Sequence, residues 1–496
     1  MQKVLLLNPP GRLRYIRDQF CSHVSKGSYY WQPLDLLLLS GTLGADGYEL
    51  AVVDAIAERL GPDAARRRID AFGPACVVFL TGSDSFQEDV RFVEGLKAGG
   101  SRTVVGIGDI LRGQGVRALD EHPVIDACLN EFVTHGLSSF LEGHLDRAEG
   151  MTVRTSSGPR TVLVSGRSNT FTLPSPRYGL FPLDRYRLPF NRFHPYATII
   201  TSTGCPYACS FCPFARTPYR VRQVDDVLAN LEAIRDMGIR QVHIADWTFG
   251  VNRAHAMSIL ERMIERDFRF AWSCLSRVDL VDREMLALLK RAGCELVEFG
   301  VESGSQAILD RCGKRITLEQ IRQAFAWARD LRLSTLATFV LGLPGETRGS
   351  LEETLRLALE IEPSYCSFNV ASPRMGSRLR QEMLDAGLIA AAKPARLDSS
   401  WAVPAFSTPE LPASELHAFR RHAIRRFYGR PGYLLRRLAG VGSWTALRHQ
   451  LANGAALAWQ TVRVSGGGPN PAATLAGHAP GSNPRAPSGC EPERTS

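Results

Sequence analysis

Short β-branched runs alternate with helical patterns through the first 145 residues. "KVLLLN", "ELAVVDA", "ACVVFLTG", "RTVVGIG" and "VIDACL" read as buried strands. Between them, "PLDLLLLSGTLGADG" and "SFQEDVRFVEGLKAGG" read as helices that stop at glycine. Strict alternation predicts a doubly wound parallel α/β sheet, Rossmann-like, with its ligand at the carboxyl ends of the strands. Those ends here are "NPPG", "TGSDS", "GIGD" and "NEF".

From Tyr196 the alternation returns with a longer period. "ATIITSTG", "QVHIADWTF", "FRFAWSCLSR", "CELVEFGVESGS" and "STLATFVLGLPGE" are strands separated by helices. Asn252 is placed to cap one of these helices, and Thr317 with Gln320 has capping-box spacing at the start of another. Units of this kind predict a partial (β/α) barrel over 196–385, with its chemistry at the strand carboxyl ends. Residues 146–195 are rich in proline and aromatics with no sustained period, and are expected to be a linker that packs on its neighbours. Residues 386–463 read as a helical basic region, and 464–496 (Gly, Pro, Ser, Ala) as a disordered tail.

At 496 residues, with 44% hydrophobic and 22% charged, the chain has the composition of a soluble multidomain protein. The opening "MQKVLLLNPPG" lacks the long apolar region and cleavage site of a secretory signal, so a cytoplasmic location is expected. Eleven cysteines, an odd number, point to free thiols and ligands. The net charge of +9 is concentrated near the C-terminus, where residues 411–463 hold nine arginines against one acid, Glu415. The remainder is close to balanced, which argues against a nucleic-acid partner. The basic segment reads either as a peripheral contact for anionic lipid or a lid over the substrate, or as a helical cap with a solvated face. Gly429, Pro431 and Gly440 break it into short pieces and favour the cap.

Cys205, Cys209 and Cys212 lie in "TSTGCPYACSFCPFA". A structural zinc site wants four ligands, usually as two pairs. Disulfides would leave one thiol over. An iron–sulfur cube held by three thiolates leaves one iron without a protein ligand, free to bind something else. Gly204 and Pro206 suit a loop wrapped closely around such a cluster.

With these residues the chain resembles the radical S-adenosylmethionine (radical SAM) enzymes. "CPYACSFC" matches their CxxxCxxC motif, with the aromatic Phe211 before the last cysteine. "GVESGS" and "GLPGET" resemble the family's later strand-end motifs, and "ADWTF" stands where relatives often carry an acidic loop. The N-terminal region resembles the cobalamin-binding domain of the subgroup that includes class B methyltransferases and the magnesium-protoporphyrin cyclases. The resemblance implies that Cys205, Cys209 and Cys212 are the metal ligands of a [4Fe-4S] cluster whose open iron chelates SAM. Reductive cleavage would then give a 5′-deoxyadenosyl radical. Backbone at Phe211 would touch adenine, Glu302 and Ser303 would lie near the ribose and methionine, and Arg277 would pair with the SAM carboxylate. The plainer reading of Glu302 and Arg277 is an ion pair across the barrel mouth. An electron donor such as flavodoxin or ferredoxin is implied as a partner.

The DxHxxG run of cobalamin domains that place a histidine on cobalt is absent, and His122 in "DEHPVID" has the wrong spacing. Cobalamin is therefore expected to bind without a protein histidine, at the loops carrying Thr81, Ser83, Gly106, Gly108 and Glu131. The implied reaction is methyl transfer to an unactivated carbon of a small-molecule, lipid or natural-product substrate. Radical cyclisation or oxidation is the alternative. A methylthiotransferase would need a second cluster, for which Cys21, Cys76 and Cys128 are superficial candidates, but Cys76 sits in an apolar strand. A non-catalytic iron–sulfur or cobalamin sensor would not need SAM-facing motifs at several strand ends.

Overall fold

A computed structural model describes residues 1–18, 22–25, 30–99, 102–166, 168–389 and 406–439. The first sheet begins with β1 (Lys3–Asn8). The chain then forms a small antiparallel pair, β2 (Tyr15–Ile16) and β3 (His23–Val24), and returns through β4 (Glu49–Asp54), β5 (Cys76–Thr81), β6 (Thr103–Gly108) and β7 (Ala127–Leu129). These five strands are parallel in the order β4-β1-β5-β6-β7. Helices Leu34–Ala45, Pro62–Phe72, Phe86–Lys97 and Gly115–Glu121 connect them, as the doubly wound reading expected. Every residue of β5 is buried, which is why its sequence is continuously apolar rather than alternating. Cys76 and Cys128 lie in this core, each fully buried, with burial pushing the Cys128 thiol up to about 12.

The switch point of such a sheet lies between β1 and β5. Here Arg17, fully buried, occupies it, donating to Asn8 Oδ1 (2.7 Å), Ser85 Oγ (2.9 Å) and Asp89 Oδ1 (2.6 Å).

Part of the segment expected to be a linker is regular. β8 (Met151–Thr155) and β9 (Gly158–Val162) form a hairpin that continues the first sheet antiparallel from β7. Its inner strand alternates over only five residues and its outer strand, Gly158–Val162, does not alternate, so the pattern is faint in the sequence. Beyond it, aromatics tie the two sheets together. Tyr186 OH donates to Asp54 Oδ2 (2.9 Å), and Tyr178 OH donates to Thr198 O (2.9 Å).

The second sheet is six parallel strands in sequential order: β11 (Tyr196–Ile199), β14 (Gln241–Ile244), β15 (Ala271–Ser276), β16 (Cys294–Glu302), β17 (Ser334–Leu341) and β18 (Tyr365–Val370). It is the expected partial barrel. One face of each strand packs under the surrounding helices: Ile244, Trp272, Cys274, Val297, Phe299, Ala337, Phe339 and Phe368 are buried there. The other face lines a polar interior containing His243, Ser273, Glu298, Thr338, Ser367 and Asn369, which the strand registers bring to one side. A three-stranded sheet, β10 (Thr170–Phe171), β13 (Thr217–Arg222) and β12 (Ser202–Cys205), sits at the barrel's first strand end. Both expected helix caps form: Asn252 accepts from His255 N (3.1 Å), and Thr317 and Gln320 bond reciprocally (2.8 and 3.1 Å).

Helix Ala413–Tyr428 closes the edge of the barrel along β18. Arg420 Nε donates to Phe368 O (2.8 Å) and Tyr428 OH to Cys366 O (2.7 Å), satisfying an edge that would otherwise be open. Its apolar residues Leu416, Phe419, Ala423 and Phe427 are buried, so this part of the basic region is a cap. Residues 440–463 and the expected disordered tail lie outside the described residues. Among the described residues no helix is long and apolar enough to cross a membrane.

Candidate functional site

The cysteine loop leaves β12 at Gly204, whose φ is +83° and whose position would place a Cβ 1.9 Å from Pro218 O. Only glycine fits there, because the turn needs both the left-handed backbone and the close approach of β13. Thr217 Oγ1 accepts from Cys205 N at 2.9 Å. Two distant segments hold the middle of the loop: Ser210 N donates to Cys312 O, and Leu379 N donates to Ser210 O, both at 2.8 Å. The side chain of Phe211 packs with the apolar cluster of Ile308, Leu343, Leu379 and Phe406.

Cys205 and Cys209 are buried and Cys212 partly so, all three as free thiols. Among the described residues no three His, Cys, Asp or Glu side chains converge tightly enough for a single metal ion. Three thiolates on one short loop would suit a four-iron cube, which takes one at each of three irons. Burial pushes the Cys212 thiol up to about 12 and raises Cys205 as well, so bare thiolates are costly here and metal ligation would offset that cost. The donor set and its loop fit a cluster.

Around the loop the structure assembles residues that sequence reading either misplaced or missed. Arg277 and Glu302 do not pair with each other. Arg277 forms a two-pronged ion pair with Asp279 (2.9 and 3.0 Å), donates to Lys314 O (2.7 Å) and lies 3.8 Å over the Tyr207 ring. Its remaining nitrogen points to Cys209 Sγ at 4.0 Å. Glu302 pairs instead with Lys314, Nζ to Oε1 2.7 Å. It does so from a positive φ of +69°, at the point where the β16–β17 register shifts, so its side chain folds back across Gly300. A Cβ on Gly300 would lie 2.5 Å from Glu302 Oε1 and 2.7 Å from Lys314 Nζ. Ser303 is fully buried, its hydroxyl 3.2 Å from Thr354 Oγ1.

Asp246, from "ADWTF", is buried and accepts four bonds, from the backbone N and hydroxyl of both Thr201 and Ser202 (2.5–3.1 Å). It braces the turn that delivers Cys205. Its neighbour Trp247 stacks on Phe214 at 4.3 Å. No local pattern marks Lys314, twelve residues from its partner, or Trp247 and Phe214, which meet only in three dimensions.

An open cleft joins this loop to the first sheet. Arg112, Asn130, Glu131 and Phe132 line it from the ends of β6 and β7, and Thr203, Gly204, Arg220 and Trp247 from the barrel side. Of the residues expected at the cobalamin site, Glu131 faces this cleft. Thr81 is fully buried with its hydroxyl on Asp89 (2.7 Å), and Ser83 N donates to Asp109 Oδ1 (2.9 Å) and Ser22 Oγ (3.0 Å). Gly106 lies under Leu111, and Gly108, at φ +156°, would carry a Cβ only 2.0 Å from Thr81 O. Its rims are polar and come from both sheets, with Arg112, Asn130 and Glu131 on one side and Arg220 and Trp247 on the other.

Residues 199–358 match the radical SAM superfamily. This part of the chain is a radical SAM domain. The domain and its neighbouring sheet resemble further proteins. An uncharacterized methyltransferase of Pyrococcus horikoshii is 33% identical over 216 residues, covering 42% of this chain and 46% of that protein, so the chain spans about half the length of that relative. The anaerobic magnesium-protoporphyrin IX monomethyl ester cyclase of Rubrivivax gelatinosus is 27% identical, covering 75% of this chain and 70% of the cyclase. The methyltransferase TsrM of Kitasatospora setae, solved with cobalamin and a [4Fe-4S] cluster bound, superposes with a TM-score of 0.63. It covers 79% of this chain and 81% of TsrM at 19% identity, a likeness of fold. The cysteine loop, the strand-end glutamate and the "GLPGE" turn of this chain all fall within its radical SAM domain.

Proposed function

We propose that the protein is a cobalamin-dependent radical SAM enzyme that methylates an unactivated carbon of a small-molecule substrate in the cytoplasm. The observation that carries this is the placement of the three-thiol loop on one wall of a cleft whose other wall is the strand-end face of a doubly wound sheet. Cys205, Cys209 and Cys212 would hold the cluster, while Asn130, Glu131 and Arg112 would hold cobalamin at its rim. When bound, the cluster with SAM supplies the radical and cobalamin supplies the methyl group.

The chain's own part is to position and to exclude water. Gly204, Asp246 and Cys312 O fix the loop. Arg277, locked by Asp279, sets the Tyr207 ring and faces Cys209. Glu302 and Ser303 lie at the end of β16, suited to the ribose and methionine parts of SAM. Backbone at Phe211 would touch adenine. Electrons would come from an external donor such as flavodoxin or ferredoxin.

The test is anaerobic reconstitution followed by incubation with SAM labelled in its methyl group and an extract from a deletion strain. Label should appear in a product heavier by one methylene than the accumulated intermediate. Deoxyadenosine without label in product would assign cyclase or oxidoreductase chemistry instead. Cys209→Ala should abolish both iron–sulfur absorbance and turnover, and full activity would refute the assignment.

A further inference from the structure

The interior face of the barrel carries a carboxyl, Glu298, that none of the roles above uses. Glu298 lies in the middle of β16, between Val297 and Phe299, which are fully buried under the helices. Alternation along a strand turns Glu298 to the opposite side, into the barrel interior. Its register partners are Leu275 and Leu336. Two residues further along, Gly300 faces the Glu302–Lys314 pair, so Glu298 sits about 7 Å deeper than the barrel mouth at the roughly 3.3 Å rise of a strand.

The carboxyl has no counter-charge among the described residues. Among the described residues no hydrogen bond or ion pair reaches it, and burial alone pushes its pKa up to about 7. The cations near the mouth are already committed, Lys314 to Glu302 and Arg277 to Asp279. His243, on the same interior face, is held neutral by burial, which lowers it to about 4, and its Nδ1 lies 2.9 Å from Ser273 Oγ. The remaining side chains of this face are uncharged: Thr338, Ser367 and Asn369 carry hydrogen-bonding groups, and Leu275, Leu296, Leu336 and Val340 are apolar. Glu298 is only partly buried and opens onto the barrel interior, where its carboxyl is placed to meet a ligand that enters from the mouth.

We propose that Glu298 anchors a protonated amine of the substrate inside the barrel, so that the enzyme's substrate class is an amine with hydroxyl or amide groups beside it. This deepens the functional reading above, since the amine belongs to the molecule whose carbon is methylated.

Binding can be measured without turnover, on the full-length reconstituted protein, with three probes of one shape: phenethylamine, 2-phenylethanol and 3-phenylpropionate. The wild type should bind phenethylamine about tenfold or more tightly than 2-phenylethanol, and 3-phenylpropionate most weakly. Glu298→Gln should lose the preference for the amine, while Glu298→Asp should keep part of it, both with iron content equal to wild type. Equal affinity of the wild type for amine and alcohol would overturn the proposal, as would an unchanged preference in Glu298→Gln. If that variant does not fold, Glu298→Asp decides, because a preference identical to wild type after shortening the side chain also counts against the anchor. Failure of the functional reading would show separately, as a wild type that takes up no iron or leaves SAM uncleaved.

Discussion

Lys314 and Glu302 form an ion pair, 2.7 Å from Nζ to Oε1, in which neither side chain is more than a tenth exposed. Removing one partner would strand a buried charge. Lys314→Met is expected to destabilise the cluster-free protein by about 3–5 kcal/mol, and Lys314→Met with Glu302→Gln to recover most of that loss. Chemical denaturation of the single and double variants measures it. Additive losses would mean the pair is not coupled.

Gly204→Ala addresses the cysteine loop. The new methyl group would meet Pro218 O at 1.9 Å from a left-handed backbone, so the loop must move away from β13. Iron content after reconstitution should fall severalfold while the far-ultraviolet circular dichroism stays near wild type. Full iron occupancy in this variant would show that the turn is dispensable.

Cys312 is the useful contrast to Cys209. It is 98% buried and packs with Leu343 and Leu379, yet it contributes to the loop through its carbonyl, which accepts from Ser210 N. Cys312→Ala should cost about 1 kcal/mol and leave iron content unchanged. Loss of iron there would make Cys312 a ligand.

His243 gives an acid-side prediction. Its folded-state pKa is lowered to about 4 by burial, against about 6.5 when unfolded. Between those values the unfolded chain takes up a proton that the folded chain refuses, so stability falls as pH drops from 6.5 to 4, by up to about 3 kcal/mol. His243→Asn should flatten that part of the profile. Denaturation midpoints of the cluster-free proteins at pH 7 and pH 4.5 provide the comparison, and parallel profiles would exclude His243 as the source.

Strands such as "ACVVFLTG" and "STLATFVLGLPGE" were legible because buried parallel strands write themselves as apolar runs, and the two helix caps because a cap is a local pattern. The cysteine trio was legible for the same reason: its spacing lies within eight residues. The hairpin at Met151–Val162 was not, since most of its residues are polar or small and its pairing partner, β7, is what makes it a strand. Nor was the exchange of partners at the barrel mouth. Sequence offers Arg277 and Glu302 as opposite charges at neighbouring strand ends. Only the fold reveals that Asp279, two residues from Arg277, and Lys314, in a helix-to-helix turn, claim them first. Glu298 was hidden inside an apolar-looking strand, where alternation alone could not say which face was hollow.

The two bonds on Ser210 carry one more implication, for how the protein is made. The centre of the cysteine loop is fastened by residue 312 on one side and residue 379 on the other. A nascent chain that has just released its three cysteines from the ribosome lacks both fasteners, and obtains the second only after a further 167 residues have been synthesised (379 less 212). Until then the thiols sit on an unfastened loop, open to oxidation or to stray metal. A cluster held by this loop would therefore be expected to enter late, once the last barrel strand and the helix that follows it are complete.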